Sequence, residues 1–377
     1  MWWQEIYLWL AGTSKNSLTV KVLIITGSYP PDKCGVGDYT SRLANALASR
    51  QHIEVGVLTG IGPANTIEDS QTRLFRTVTH WRNRNLLEVW HVVSKFRPDV
   101  VHVQYPTRGY AGRPPRLLPA FLKLLGLPVV QTWHEYYHES GVSWPNLLAC
   151  DALIYARPDF PQKLPRWVKR YLSNTPVVYV PNASTIPVIS LSAEQTGNIK
   201  QALSGGQPIV CFFGFAHINK GVERLFEIAD PEKHHLVLIC DLNETDPYQA
   251  HILRLINQEQ WIGKVTVTGF QPAQRVGEIL AVADAVVFPF PGGAGEWNTS
   301  LKAAEAAGTF SLATTQDSKL FGYHEDKNTF FSGCDQVMDL RNALSKYLGR
   351  RNRSLAKDEW EECAMAHEKI YGRLLTN

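Results

Sequence analysis

The stretch Phe212-Phe213-Gly214-Phe215-Ala216-His217-Ile218-Asn219-Lys220-Gly221 ends an apolar run in a glycine and hands over to a single lysine. A continuous apolar run of this kind reads as a strand buried on both faces. The glycine and lysine that follow put one cation beside backbone N–H groups at a helix start, where anions are stabilised. The segment Glu296-Trp297-Asn298-Thr299-Ser300-Leu301 begins 75 residues after Gly221 and opens a helix of small residues. It adds a second helix N-terminus and a carboxylate able to grip sugar hydroxyls. Together the two segments read as a pocket for a sugar diphosphate.

The same grammar extends in both directions. Strand-like runs at Val20 to Thr26, Ile53 to Thr59, Val100 to Gln104, Pro128 to Thr132 and Ala152 to Tyr155 alternate with helical stretches such as Leu86 to Lys95 and Arg116 to Leu125. From Pro181 to Gly206 the composition shifts to Pro, Ser, Thr and Gly, which reads as a domain boundary, and the alternation restarts at Pro208 to Phe213. Strands are expected at Leu236 to Cys240, Val265 to Thr268, Ala285 to Pro289 and Phe310 to Thr314. Helices are expected at Val222 to Ala229, Pro247 to Gln258, Pro272 to Val282 and Ser300 to Ala307. Strand–helix alternation predicts α/β architecture, two doubly wound Rossmann-like domains facing a cleft, with ligands at the carboxyl ends of the strands. The expected divisions are an extension over 1–19, an N-terminal domain over 20–185, a C-terminal domain over 186–356 and a closing helix over 357–377.

A length of 377 residues fits two such domains. Lys and Arg total 38 against 35 Asp and Glu, a net charge of +3, which argues against a nucleic-acid partner. Six cysteines without a C-x-x-C pair suggest buried thiols and a cytoplasmic setting. The aromatic start Met1 to Ala11 falls short of the ~20 residues that span a bilayer and lacks the pattern of a signal peptide. An interfacial anchor and an extra turn without function are the two readings of it.

Several local patterns admit more than one chemistry. His134-Glu135-Tyr136-Tyr137-His138 satisfies H-E-x-x-H, the signature of zinc hydrolases, but that chemistry needs a continuous helix. Here a strand runs straight into His134, and Gly141 and Pro145 follow. Gly35-Val36-Gly37 partly mimics a dinucleotide fingerprint, yet Thr40 stands at the third glycine. Asp38 suits a base near an acceptor or, better, a helix N-cap. Arg166 to Leu172, basic and aromatic, could rest on anionic lipid at a membrane periphery; a solvated helix face with one buried Trp is the plainer reading. His102 and Cys211 read as core.

Taken together, "SYPPDKCGVGDYTSRLANAL", "PDVVHVQY", "PVVQTWHEYY", "YVPNAS", "FFGFAHINKGVERLFEIA", "VTVTGF", "ADAVVFPF", "SLKAAEAAG" and a terminal helix with Trp360 resemble the GT-B-fold glycosyltransferases. That large family includes glycogen synthase, sucrose synthase and bacterial mannosyl- and glucosyltransferases. The resemblance implies transfer of a sugar from a nucleotide-diphosphate sugar to an acceptor, with retention, and no cofactor beyond that donor. Fixed donors and cations aimed at the departing diphosphate lower the barrier. Lys220 would be the cation, and Asn298, Thr299 and Ser300 would present the helix N-terminus. Gly35 and Gly37 would let backbone approach the phosphates. His134 would lie near the transferred sugar, and Glu296 would contact its hydroxyls.

The acceptor, a glycan, lipid-linked sugar or small metabolite, would meet Asp38 and the loops after Gly27, Tyr105 and His138. No Asp-x-Asp occurs, consistent with a metal-independent site. Two departures stand out. The family's second glutamate falls eight positions after the first, whereas Glu305 is nine after Glu296, and counting back from Gly308 puts Ala303 where that glutamate belongs. His217 replaces the arginine that partners the lysine. A catalytically degenerate nucleotide-sugar-binding protein is therefore an alternative expectation.

Overall fold

A computed structural model describes residues 19–62, 71–105, 108–110, 117–135, 144–295, 297–352 and 359–376. The chain divides into two compact units, Met1–Ala183 with Glu359–Asn377, and Ser184–Asp358.

The first unit is built on β1 (Val20–Ile25), β2 (Ile53–Gly60), β3 (Thr72–Val78), β4 (Val100–Tyr105), β5 (Val129–Trp133), β6 (Ala152–Tyr155) and β7 (Val177–Tyr179). They lie in the order β3-β2-β1-β4-β5-β6-β7, every pair parallel. Successive side chains of β1 point to opposite faces. Val22 and Ile24 therefore enter one core with Leu43 and Leu47 of the helix Gly35–Ala48, while Leu23 and Ile25 enter the other with Val89 and Val93. Both faces being covered, the strand has no polar alternation. The closing helix Glu359–Leu375 buries Cys363, Ala364, Ile370 and Tyr371 in the first of these cores. Its outer side is tied down by Glu361 on Arg50 and by Glu368 on Arg50 and His52.

The second unit repeats the plan with β8 (Ile209–Phe213), β9 (His235–Ile239), β10 (Val265–Val267), β11 (Ala285–Phe288), β12 (Ser311–Thr315), β13 (Gly322–His324) and β14 (Thr329–Gly333). Their order is β10-β9-β8-β11-β12-β14-β13, parallel except for the β13–β14 pair. In both sheets the first strand of the unit lies inside the sheet, third in the order, and the order reverses beside it, which is the doubly wound arrangement.

Two expectations need correction. Nearly half of the segment read as the boundary is regular structure: Ala193–Ser204 is a helix capped by a reciprocal Ser192–Gln195 box. The helix expected over Val222 to Ala229 is broken into a 3-10 turn, Val222–Arg224, and four α residues, Leu225–Ile228. The left-handed Gly221 (φ 60°) that precedes them sets this abrupt start.

Candidate active site

In the second unit the loop after β8 makes two close approaches, one to the end of β11 and one to the start of the helix Thr299–Ala306. Lys220 closes a 3-10 turn, Ile218–Lys220, rather than beginning a helix, and its N–H bonds the His217 carbonyl at 2.7 Å. Gly221 then passes so close to β11 that a Cβ there would lie 2.4 Å from the Pro289 carbonyl oxygen. Only glycine meets both the left-handed backbone and the contact. This approach sets the Lys220 ammonium 4.4 Å from the centroid of the buried Phe290 ring, whose π-face favours a cation. A Cβ on Gly214, at the end of β8, would lie 3.9 Å from Ser300 Oγ, so the β8 loop borders the start of the helix Thr299–Ala306.

That helix start lacks a side-chain cap. Asn298 occupies the N-cap, but its side chain makes no cap hydrogen bond and instead accepts from the Gly295 N–H at 2.8 Å. The first-turn donors are thus left without the usual side-chain oxygen. Glu305 sits six residues past Thr299, roughly 9 Å along the helix axis, and accepts from Thr329 Oγ1 at 3.3 Å. Ala303 is buried in the core. His217 is exposed and shares a 3.1 Å contact with Asn219 Oδ1. Glu296 lies outside the described residues.

In the first unit the strand ends are occupied by buried polar side chains. His134 follows β5, is 7 % exposed, and sets Nε2 2.8 Å from Gln104 Oε1. Tyr39 meets its ring edge-on at 4.6 Å between centroids. Burial lowers its pKa to about 4, against a partly offsetting hydrogen bond to Asn182, so the imidazole is neutral near pH 7. Glu135 is exposed and faces Arg157 at 3.4 Å. His134 and Glu135 thus leave a strand into a bend, not a helix, which removes the geometry zinc hydrolysis needs. His138 lies outside the described residues.

Asp38 is inside the first turn of Gly35–Ala48, whose N-cap is Cys34, so the N-cap expectation is corrected. Its carboxyl is pushed up to about 6 by burial, with Arg42 pulling the other way. Gly37 has a packing role: a Cβ would lie 3.0 Å from the Ser28 carbonyl oxygen, whereas at Gly35 nothing stands within 4 Å. Tyr105 is fully buried and stacks on Trp133 at 5.1 Å. Its ring belongs to the core of the unit. The neighbouring loops pack tightly, since a Cβ at Gly109 would fall 1.5 Å from the Gly27 carbonyl oxygen.

On the outer surface Trp167 is 52 % exposed, and Val168 and Leu172 are the buried residues, the reverse of the plainer expectation for Arg166 to Leu172. Among the described residues no helix is long and apolar enough to cross a membrane. No group of three or more His, Cys, Asp or Glu there could hold a metal ion. None of the six cysteines is in a disulfide, and Cys334 alone is not buried.

Residues 34–183 match the family model described as glycosyl transferase 4-like domain. No curated protein sequence matches the chain. Among solved structures the chain is similar to sucrose-phosphate synthase from Thermosynechococcus elongatus, with a TM-score of 0.71 and 17% identity over 95% of this chain and 99% of that one. It is similar to the catalytic domain of starch synthase IV from Arabidopsis thaliana bound to ADP and acarbose, with a TM-score of 0.68 and 14% identity over 95% and 100%. It is also similar to HepE of Anabaena in complex with UDP and glucose, with a TM-score of 0.67 and 14% identity over 95% and 100%. The fold is the one the sequence resemblance implied.

Proposed function

We propose that this glycosyltransferase of the GT-B type, which carries a glycosyl transferase 4-like domain over residues 34–183, moves a sugar from a nucleotide-diphosphate sugar to a hydroxyl acceptor with retention. The observation that carries this reading is the loop after β8: its Gly214 borders Ser300 at a helix start that lacks a side-chain cap, and its Lys220–Gly221 turn packs on Pro289 and Phe290 beyond β11. A diphosphate leaving group is stabilised by such fixed positive ends without reorganisation. Lys220 supplies the charge, so no metal is needed for the leaving group in this reading. The complexes of similar proteins with UDP and with ADP make uridine and adenosine diphosphate sugars the first donors to try.

In the first unit His134 is assigned to the transferred sugar and Asp38 to the acceptor side, where a carboxyl held near 6 suits proton acceptance close to neutral pH. Glu296 is assigned to the sugar hydroxyls. Binding without transfer is the second reading, favoured by the engagement of Glu305 with Thr329. Release of nucleoside diphosphate from a panel of nucleotide sugars by the purified protein separates the two. Slow release lost in Glu296→Gln or His134→Ala supports transfer; binding with no release from any donor supports the second reading.

The acceptor side also offers a surface. Leu124, 84 % exposed, and Tyr171, 61 % exposed, line one groove of about 430 Å³ with Ala120, Lys123 and Leu148. Lys163, Arg166, Lys169 and Arg170 are exposed nearby in sequence, and no acidic residue occurs from Phe160 to Pro176. Aromatic and apolar tips rimmed by cations suit an anionic bilayer surface. Peripheral membrane contact through this face is part of the proposal.

A further inference from the structure

Behind His134 runs a buried chain of polar groups that the proposed reaction does not use. His102 and Gln104 share a face of β4, and Thr132 lies on neighbouring β5, opposite Gln104. All three are fully buried, as is Tyr371 of the closing helix at 2 %. His102 Nδ1 is 2.7 Å from the Tyr371 hydroxyl, and its Nε2 is 2.7 Å from Thr132 Oγ1 and 3.3 Å from Gln104 Nε2. Gln104 Oε1 then meets His134 Nε2 at 2.8 Å.

With the Gln104 oxygen toward His134 and its nitrogen toward His102, these contacts fix proton positions if both rings are neutral, and burial drives both in that direction. A neutral imidazole has one N–H and one lone pair, and an amide has a donor end and an acceptor end. The Gln104 oxygen accepts from His134, so His134 carries its proton on Nε2. The Gln104 nitrogen donates to His102 Nε2, so the proton of His102 sits on Nδ1 and is donated to the Tyr371 oxygen. Thr132 donates to the same Nε2. Asn182, an amide able to offer either end, also bonds the His134 ring and accommodates either state. His367 lies 5.4 Å from His102 between ring centroids and is itself bonded to the Cys363 carbonyl at 2.7 Å, which leaves it outside the chain.

We propose that Tyr371 is a positioning residue for His134: by accepting from His102 it sets, through Gln104, which nitrogen of His134 holds the proton. Losing that acceptor would strand a buried N–H, which is costly. The relief is a transfer of the His102 proton to Nε2, where Thr132 can accept. Gln104 then turns its nitrogen toward His134, whose proton moves to Nδ1. A residue 237 positions downstream of His134 thus governs its tautomer. The catalytic consequence rests on the assignment of His134 to the sugar; the tautomer does not.

Long-range 1H–15N spectra of the full chain test this directly. In the wild type the expected pattern is Nε2–H at His134 and Nδ1–H at His102, and any other pair overturns the proposal without need of a variant. In Tyr371→Phe, His134 is expected to change to Nδ1–H, and an unchanged His134 pattern in the folded variant overturns it too. If the tautomer switches, turnover with a donor sugar should fall about tenfold at unaltered donor affinity. A switched tautomer with unaltered turnover would instead sink the assignment of His134 to the sugar and leave the coupling to Tyr371 standing.

Discussion

At the ends of β4 and β5 the polar side chains are spent on one another: His102, Gln104, Thr132 and His134 are bonded and buried. At the ends of β8 and β11 the chain offers backbone instead: Gly214 borders the start of Thr299–Ala306, and Gly221, next to Lys220, packs on Pro289. The same doubly wound plan thus yields two kinds of strand end. Buried bonded side chains hold one group in one orientation, at the expense of sensitivity to protonation. Glycine-rich backbone leaves donors open to an anion and is sensitive to any added side chain.

Acid should separate the two units most. His134 and His367 are lowered to about 4 by burial, and His102 is lowered as well. Their unfolded pKa is near 6.5, so between roughly pH 6.5 and 4 the unfolded state binds more protons and stability falls as pH falls. Each contributes about 1.4 kcal/mol per pH unit in that window. Asp38 opposes them, since a carboxyl raised to about 6 takes up a proton in the folded state first. The net expectation from pH 7 to 5 is a loss of about 2 to 4 kcal/mol in the first unit. In the second unit burial lowers His234 and His235 by less than it lowers His134, with Asp230 pulling His234 the other way, so they weigh less. Hydrogen exchange followed against pH should show β4 and β5 losing protection before β8 and β11; the reverse order would break the comparison.

Added side chains should act next. Gly221→Ala combines a left-handed residue with a backbone contact and is expected to cost at least about 2 kcal/mol, read as a lowered midpoint of the second unit. Gly109→Ala should do comparable damage in the first unit by pushing two loops apart, whereas Gly35→Ala, facing open space, should cost little. Equal midpoints for all three would contradict the close approaches.

The smallest effect concerns the outer faces. If the groove beside Tyr171 meets anionic lipid, Arg170→Ala should weaken sedimentation with phosphatidylglycerol vesicles by about 1 kcal/mol, roughly fivefold. Binding to neutral phosphatidylcholine vesicles of the same size should be weak for both proteins. Equal sedimentation with both lipids would remove charge from the account.

The central strands were legible because burial on both faces leaves a continuous apolar run: β1, β4, β5 and β6 begin and end within one residue of the sequence reading. The edge strand β3 was not read, since Arg73 and Arg76 interrupt its apolar pattern at a half-exposed position. The helix Ala193–Ser204 buries little beyond Leu203, so no hydrophobic stripe announced it, although the Ser192-x-x-Gln195 box was there to be seen. For the site, Lys220 and the glycines around it stand close in sequence and carried their own signal. The partners of His134 did not. Gln104 lies 30 positions away and Tyr371 is 269 from His102, so only the folded sheet and the returning helix bring them together.

Calorimetric titration of UDP, ADP and GDP into the wild type and Lys220→Ala, in the presence of EDTA, tests the central claim most directly. One nucleotide should bind the wild type without a metal, and the variant should bind it about ten- to hundredfold more weakly, as expected for loss of a charge-assisted contact of about 1.5 to 3 kcal/mol. Equal affinity in wild type and folded variant, or no binding of any nucleotide, would contradict a diphosphate site at Lys220.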